Sequence, residues 1–216
     1  MYTLIVGTQS WSSWSLRPYM ALMAVGAPFK TDVITLREVP ATRNAILKHS
    51  PAGKVPVLEF DGQAVWDSLA ICENLAERHP EAELWPKDAN LRARARAYAA
   101  EMHSGFPDVR QQLTMEFGRT LPAPELKPET EDQLSRIIAA WEDALAASGG
   151  PFLFGKFSIA DCMYAPVVSR FTTYGVQGPA KSKAYMEKIW ALAGMQNWLK
   201  ASQKQIADGL PTYPRP

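Results

Sequence analysis

The chain has 216 residues, 47% of them apolar, with 23 Lys and Arg against 22 Asp and Glu. That length suits one large domain or two small ones with a buried core. The formal net charge of +1 comes from interspersed acids and bases, which argues against nucleic-acid or membrane-surface binding, because both need a basic patch. No apolar run approaches the roughly 18 residues of a membrane span. The start MYTLIVGT has no basic n-region of a signal peptide, so the cytoplasm is the expected compartment. Cys72 and Cys162 sit far apart in helical patterns and read as small buried hydrophobes rather than a disulfide.

In chain order, YTLIV (2–6) reads as a strand and LRPYMALMAVG (16–26) as a helix, with Pro18 in its first turn and Gly26 at its end. FKTDVITL (29–36) alternates as a strand does, and PATRNAILKHS (40–50) is a short helix. PVLEF (56–60), the turn Asp61-Gly62 and QAVW (63–66) form a hairpin, followed by a helix over 67–80. This order implies three layers around a mixed sheet.

After ELWPKD (83–88) the pattern becomes helical throughout, with helices expected at 90–106, 129–147, 158–173, 182–192 and 194–207. TLPAPELKP (120–128) and GGPFLFGKF (149–157) are connections within this half. The expected organisation is an α/β domain over 1–80, a linker over 81–88 and an all-helical domain over 89–216. There is no metal-ligand cluster.

Three stretches hold candidate chemistry. In AGKVPVL (52–58), Pro56 either merely opens a strand or follows a cis peptide bond. In the cis case Val55 would turn its backbone groups outward to pair with an extended peptide. In WDSLAICENLAE (66–77), Asp67 and Ser68 start a helix. They are either plain caps or a grip on an amino-acid head group, with the helix N-terminus holding a carboxylate. In SWSSWSLRP (10–18), four serines crowd a strand-to-helix turn where one cap would suffice.

The order βαβ, then Lys54-Val55-Pro56, then a hairpin with Asp67-Ser68 at the next helix, then an all-helical half, resembles the cytosolic glutathione transferases over the whole chain. Phe157 and the Ser158-Ile159-Ala160-Asp161 capping box match another feature of that family, one with a structural role. The resemblance implies a thioredoxin-like α/β domain followed by an all-α domain, with glutathione bound between them. Val55, beside the cis-proline Pro56, would hold the cysteinyl backbone. Asp67 and Ser68 would hold the γ-glutamyl end and Lys54 the glycine carboxylate, with His49 and Arg37 as weaker candidates for that charge. It also implies a homodimer formed through helices 67–79 and 90–117.

The serine loop is most similar to the zeta class, in which serine-serine-cysteine-serine is followed by an arginine two residues on. Laid on that pattern are Ser12, Ser13, Trp14, Ser15 and Arg17, so Trp14 replaces the loop cysteine and removes any protein thiol. A hydroxyl from Ser12 or Ser13 would then activate the glutathione sulfur, aided by Arg17, while Ser15 caps the helix. Trp11, Trp14, Met102, His103 and Phe106, with Met115 and Phe117, could line the pocket for a small electrophile. Stripes of this kind are more often core. Two other readings stand beside the transferase. One is a zeta-like isomerase of a maleyl-type diacid, with Arg17 and Arg110 holding the second carboxylate. The other is an interaction module that kept the fold and lost catalysis.

Overall fold

The computed structural model describes residues 1–36 and 40–210, so Arg37 lies outside the described residues. Strand β1 (Tyr2–Gly7) leads to helix α1 (Ser13–Val25), β2 (Phe29–Ile34), α2 (Ala41–Leu47), the hairpin β3 (Val57–Phe60) and β4 (Gln63–Val65), and α3 (Ser68–Arg78). The sheet order is β2-β1-β3-β4. β1 runs parallel to β2, with Tyr2 opposite Phe29, and antiparallel to β3, with Leu4 opposite Leu58. Leu4, Ile5 and Val6 are all fully buried, as expected of a central strand covered on both faces. At the hairpin both Asp61 (φ 48°) and Gly62 (φ 73°) are left-handed, which a tight two-residue turn requires.

A 3-10 turn (Pro80–Ala82) leads to α4 (Ala89–Ser104), capped by Asp88, whose carboxylate accepts from the Leu91 N–H at 2.8 Å. The remaining helices are α5 (Pro107–Gln112), α6 (Pro128–Ser148), α7 (Ile159–Tyr174), α8 (Ala180–Trp190) and α9 (Ala193–Ala207). Among the described residues no helix is long and apolar enough to cross a membrane. The two halves share one core. α1 packs on α3, α7 and α9, with Tyr19 edge-on to Trp198 at 4.9 Å. A Cβ at Gly194 would stand 2.7 Å from the Met20 sulfur, so the α1–α9 approach needs glycine there.

Two elements depart from the sequence reading. α1 begins three residues before Leu16, so Pro18 lies inside the helix rather than in its first turn. The first turn instead consists of Ser13, Trp14 and Ser15, with the N–H groups of Ser15 and Leu16 both bonded to the Ser12 carbonyl. The expected 90–106 helix is cut at Gly105, and Phe106 turns left-handed (φ 60°) before α5 starts at Pro107. The Gly-Phe-Pro sequence is itself a stop-and-restart signal.

α7 is almost wholly buried. At its start the Asp161 carboxylate accepts from the Ser158 N–H (2.8 Å), the Ser158 hydroxyl (3.0 Å) and the Leu153 N–H (3.1 Å). Burial pushes the Asp161 carboxyl up to about 6, against those hydrogen bonds. Phe157, just outside the helix, stacks edge-on against Phe152.

Candidate functional site

The C-terminal end of β1, the start of α1, the segment before β3 and the start of α3 converge on a cavity of about 710 Å³. Its walls include Trp11, Ser12, Ser13 and Trp14 from the first loop, Lys54, Val55 and Pro56 from the second, and Trp66, Asp67 and Ser68 from the third. Three stretches separated by up to 50 residues of chain are thus one surface, because the β1–α1 and β4–α3 turns lie at the same end of the sheet.

The serines of the loop have different surroundings. Ser12 occupies the N-cap position of α1 without a side-chain capping bond; its hydroxyl donates to Ser15 Oγ at 2.8 Å. Ser15 Oγ also accepts from the Gly7 N–H at 3.1 Å, so Ser15 does not cap the helix but ties it back to the end of β1. A Cβ at Gly7 would lie 2.9 Å from Ser12 Oγ and 2.6 Å from Leu36. Glycine at the strand end therefore makes room for the Ser12 side chain. Ser13 is the first residue of α1 and is buried to 6% exposure on the cavity wall. The Ser10 hydroxyl is buried without a partner, and the Ser10 carbonyl accepts from the Phe117 N–H.

The Val55–Pro56 peptide bond is cis, the alternative that AGKVPVL left open. The Trp66–Asp67 bond is cis as well, and nothing in the sequence pattern signalled it. Asp67 is a true N-cap: Oδ1 accepts from the Leu69 N–H at 2.8 Å, and Oδ2 lies 3.1 Å from His103 Nε2. Ser68 is 1% exposed, and its hydroxyl has no partner although it stands on the cavity wall at the start of α3. A buried hydroxyl without a partner is costly, and here it faces the place a ligand would fill. Lys54 is exposed at the cavity mouth. His49 is instead engaged with Glu59, Nδ1 to Oε1 at 2.8 Å.

The aromatic and cationic candidates divide. Trp11 and Trp14 line the cavity. Met102, Phe106, Met115 and Phe117 are buried members of the common core and are not among the residues lining the cavity, a correction to their reading as pocket walls; Phe117 stacks on Trp190 of α8 at 5.2 Å. His103 sits at the rim between Asp67 and the Trp14 ring, which it meets edge-on at 5.2 Å. Burial, with Arg17 and Arg110 nearby, holds the His103 imidazole below its ordinary range despite Asp67.

Arg17 is fully buried, its guanidinium 4.2 Å from the centroid of the Trp14 ring, and none of its three nitrogens has a hydrogen-bond partner. Burial foremost, then Arg110 and Arg170, lower its pKa to about 9, which leaves it charged at neutral pH. Arg110 lies 4.8 Å from the same ring, but its guanidinium donates to the carbonyls of Met102, His103 and Gly105 and so closes the C-terminus of α4. Cys72 and Cys162 are free and fully buried, and burial pushes both thiols up.

The comparisons with known proteins agree with this architecture. The models for the glutathione S-transferase N-terminal and C-terminal domains match residues 11–78 and 124–204. A probable maleylacetoacetate isomerase of Caenorhabditis elegans is 40% identical over 157 residues, 72% of this chain and 72% of that one. A maleylpyruvate isomerase of Ralstonia sp. is 30% identical over 163 residues, 73% of this chain and 77% of the relative. Among solved structures, a glutathione transferase homolog from Burkholderia with bound glutathione superposes with a TM-score of 0.73. It covers 94% of this chain and 98% of that one at 24% identity, a likeness of fold. A four-stranded thioredoxin-like sheet joined to an all-helical half defines the glutathione-transferase class of fold, and the residues that line the cavity, Trp11 to Ser68, all come from the α/β half. The chain belongs to the glutathione S-transferase family.

Proposed function

We propose that this protein binds glutathione in the cavity and activates its thiol, through the Ser12 hydroxyl, for attack on a small electrophile. The observation that supports it most is the partnerless Ser68 hydroxyl, buried beside the N-cap Asp67 on the cavity wall. That hydroxyl, at the positive dipole end of α3, suits a carboxylate, and Asp67 suits an ammonium. Because His103 is held toward its neutral form, it leaves the negative charge of Asp67 uncancelled. Val55 offers its backbone for strand-like pairing with a peptide, and Lys54 offers a cation for a second carboxylate. Glutathione has each of these groups; when bound it supplies a thiol whose anion is the nucleophile.

A free thiol has a pKa near 8.5, and lowering it by about two requires roughly 2.7 kcal/mol of preference for the anion. One hydrogen bond to a charged group is worth roughly 1.5–3 kcal/mol. The Ser12–Ser15–Gly7 chain can provide it. Hydroxyls rotate about Cβ–Oγ, so Ser15 can donate to Ser12 while still accepting from the Gly7 N–H, which frees the Ser12 proton to point at an anion in the cavity. Bonds in such a chain polarise one another. Ser13 is the other candidate, on the same wall.

A second reading, a glutathione-dependent cis–trans isomerase of a maleyl-type diacid, is favoured by the names of the two curated relatives. As in most of the family, a homodimer and a cytoplasmic location are expected.

The deciding experiment titrates the thiol of glutathione bound to the purified protein, following thiolate absorbance in the ultraviolet. The expected result is a pKa well below 8.5. Ser12→Ala and Ser15→Ala should both raise it, and Ser13→Ala should not. Binding with an unshifted thiol, or no binding, would discard thiol activation and leave an interaction module.

A further inference from the structure

The buried guanidinium of Arg17 needs an explanation that thiol activation does not supply. It is fully buried, its three nitrogens have no partner, and it takes no part in the cavity wall. A charge taken out of water without an ion pair is expensive. The face of Trp14 at 4.2 Å offsets part of that cost by cation–π attraction. The same Trp14 does line the cavity. One ring therefore belongs both to the ligand-facing wall and to the surroundings of a charged group whose nitrogens have no hydrogen-bond partner.

We propose that Trp14 determines which electrophile the site accepts. By covering Arg17 it reserves the cavity for electrophiles without a remote carboxylate, and reducing it opens a carboxylate subsite on that guanidinium. Arg110, which reaches the same ring, is held at the end of α4 by bonds from Nε to the Gly105 carbonyl and from Nη2 to the Met102 and His103 carbonyls. His103 closes the opposite approach, edge-on to the ring and bonded to Asp67. The inference rests on the proposed function, with the electrophile held beside glutathione in the same cavity. It separates the two chemistries considered above: with Trp14 in place a diacid lacks its second cation, whatever the thiol does.

The test uses maleate, a small cis-dicarboxylate, titrated calorimetrically into the wild-type protein, Trp14→Ala and the double variant Trp14→Ala/Arg17→Met. Trp14→Ala should bind maleate about tenfold or more tightly than wild type, the worth of one charge-assisted hydrogen bond. The double variant should return to the wild-type value. Equal maleate affinity in wild type and Trp14→Ala, or a gain that persists without Arg17, overturns the proposal. Trp14→Leu keeps apolar cover over the core and should show the same direction if the alanine variant does not fold. Glutathione is titrated into the same proteins: failure of the wild type to bind it would overturn the functional reading above, while the maleate comparison still decides the role of Trp14.

Discussion

Gln9 and Gln205 hold each other through two hydrogen bonds across 196 positions of sequence: the Gln9 N–H donates to Gln205 Oε1 at 2.7 Å, and the Gln205 Nε2 donates to Gln9 Oε1 at 2.9 Å. Trp198 adds a third bond, its Nε1 donating to the Gln9 carbonyl at 2.7 Å. The loop that presents Ser12 and Ser13 is thus clamped by α9. Gln205→Leu, which leaves two buried groups of Gln9 without partners, should cost about 1–3 kcal/mol in urea unfolding. As a positioning change it should also raise the pKa of bound glutathione thiol, a readout that a loss of stability alone would not move.

Ser68 and Asp67 are neighbours with opposite expected effects on stability. Ser68→Ala removes a hydroxyl that already lacks a partner, so the melting temperature should hold or rise slightly, while glutathione affinity drops about tenfold in calorimetry. Asp67→Ala removes the cap on the Leu69 N–H and the partner of His103. It should lose about 1 kcal/mol of stability together with the affinity.

His103 gives the free protein a pH dependence of definite sign. Its folded-state pKa lies below the ordinary 6.5, so the unfolded chain takes up the proton first as pH falls. The stability it contributes is present above that value and is lost on acidification through it. Denaturant midpoints measured downward from neutral pH should fall across this range, and His103→Gln, which keeps a donor toward Asp67, should flatten that part of the curve. Asp161 acts with the reverse sign: its carboxyl is raised from 3.8 to about 6, so its contribution is full below 3.8 and lost as pH rises through 6. The two windows overlap, and the difference between wild type and His103→Gln isolates the histidine.

Neither cysteine is available for chemistry. Cys72 and Cys162 are fully buried with raised thiol pKa values, and reactivity follows exposed thiolate. Under native conditions an aromatic disulfide reagent should titrate no thiol within minutes, and two after denaturation. Replacing both by serine should leave any disulfide-reductase rate at background.

The alternation of strand and helix signals up to residue 80, and their replacement by helical periodicity afterwards, determined the fold class by itself, because burial on one face imposes a period of two on strands and near 3.6 on helices. Lys54-Val55-Pro56 and Asp67-Ser68 were likewise legible, since a proline before a strand and a cap before a helix are local chemistry. The start of α1 was not: Pro18 argues for a first-turn position, and only packing of α1 against α7 and α9 holds a helix through it. The same limit applied to the side chains. Met102 and Phe106 share the spacing of a pocket stripe but are buried against the core, and Ser15 has the composition of a cap yet bonds to the end of β1. Trp14 and Arg17 stand three residues apart on α1, a spacing that makes them neighbours, but that the ring lines the cavity while the guanidinium is fully buried was beyond sequence. Which face of a residue meets a cavity and which meets a charge depends on elements distant in the chain, brought together only when the two halves bury their common core.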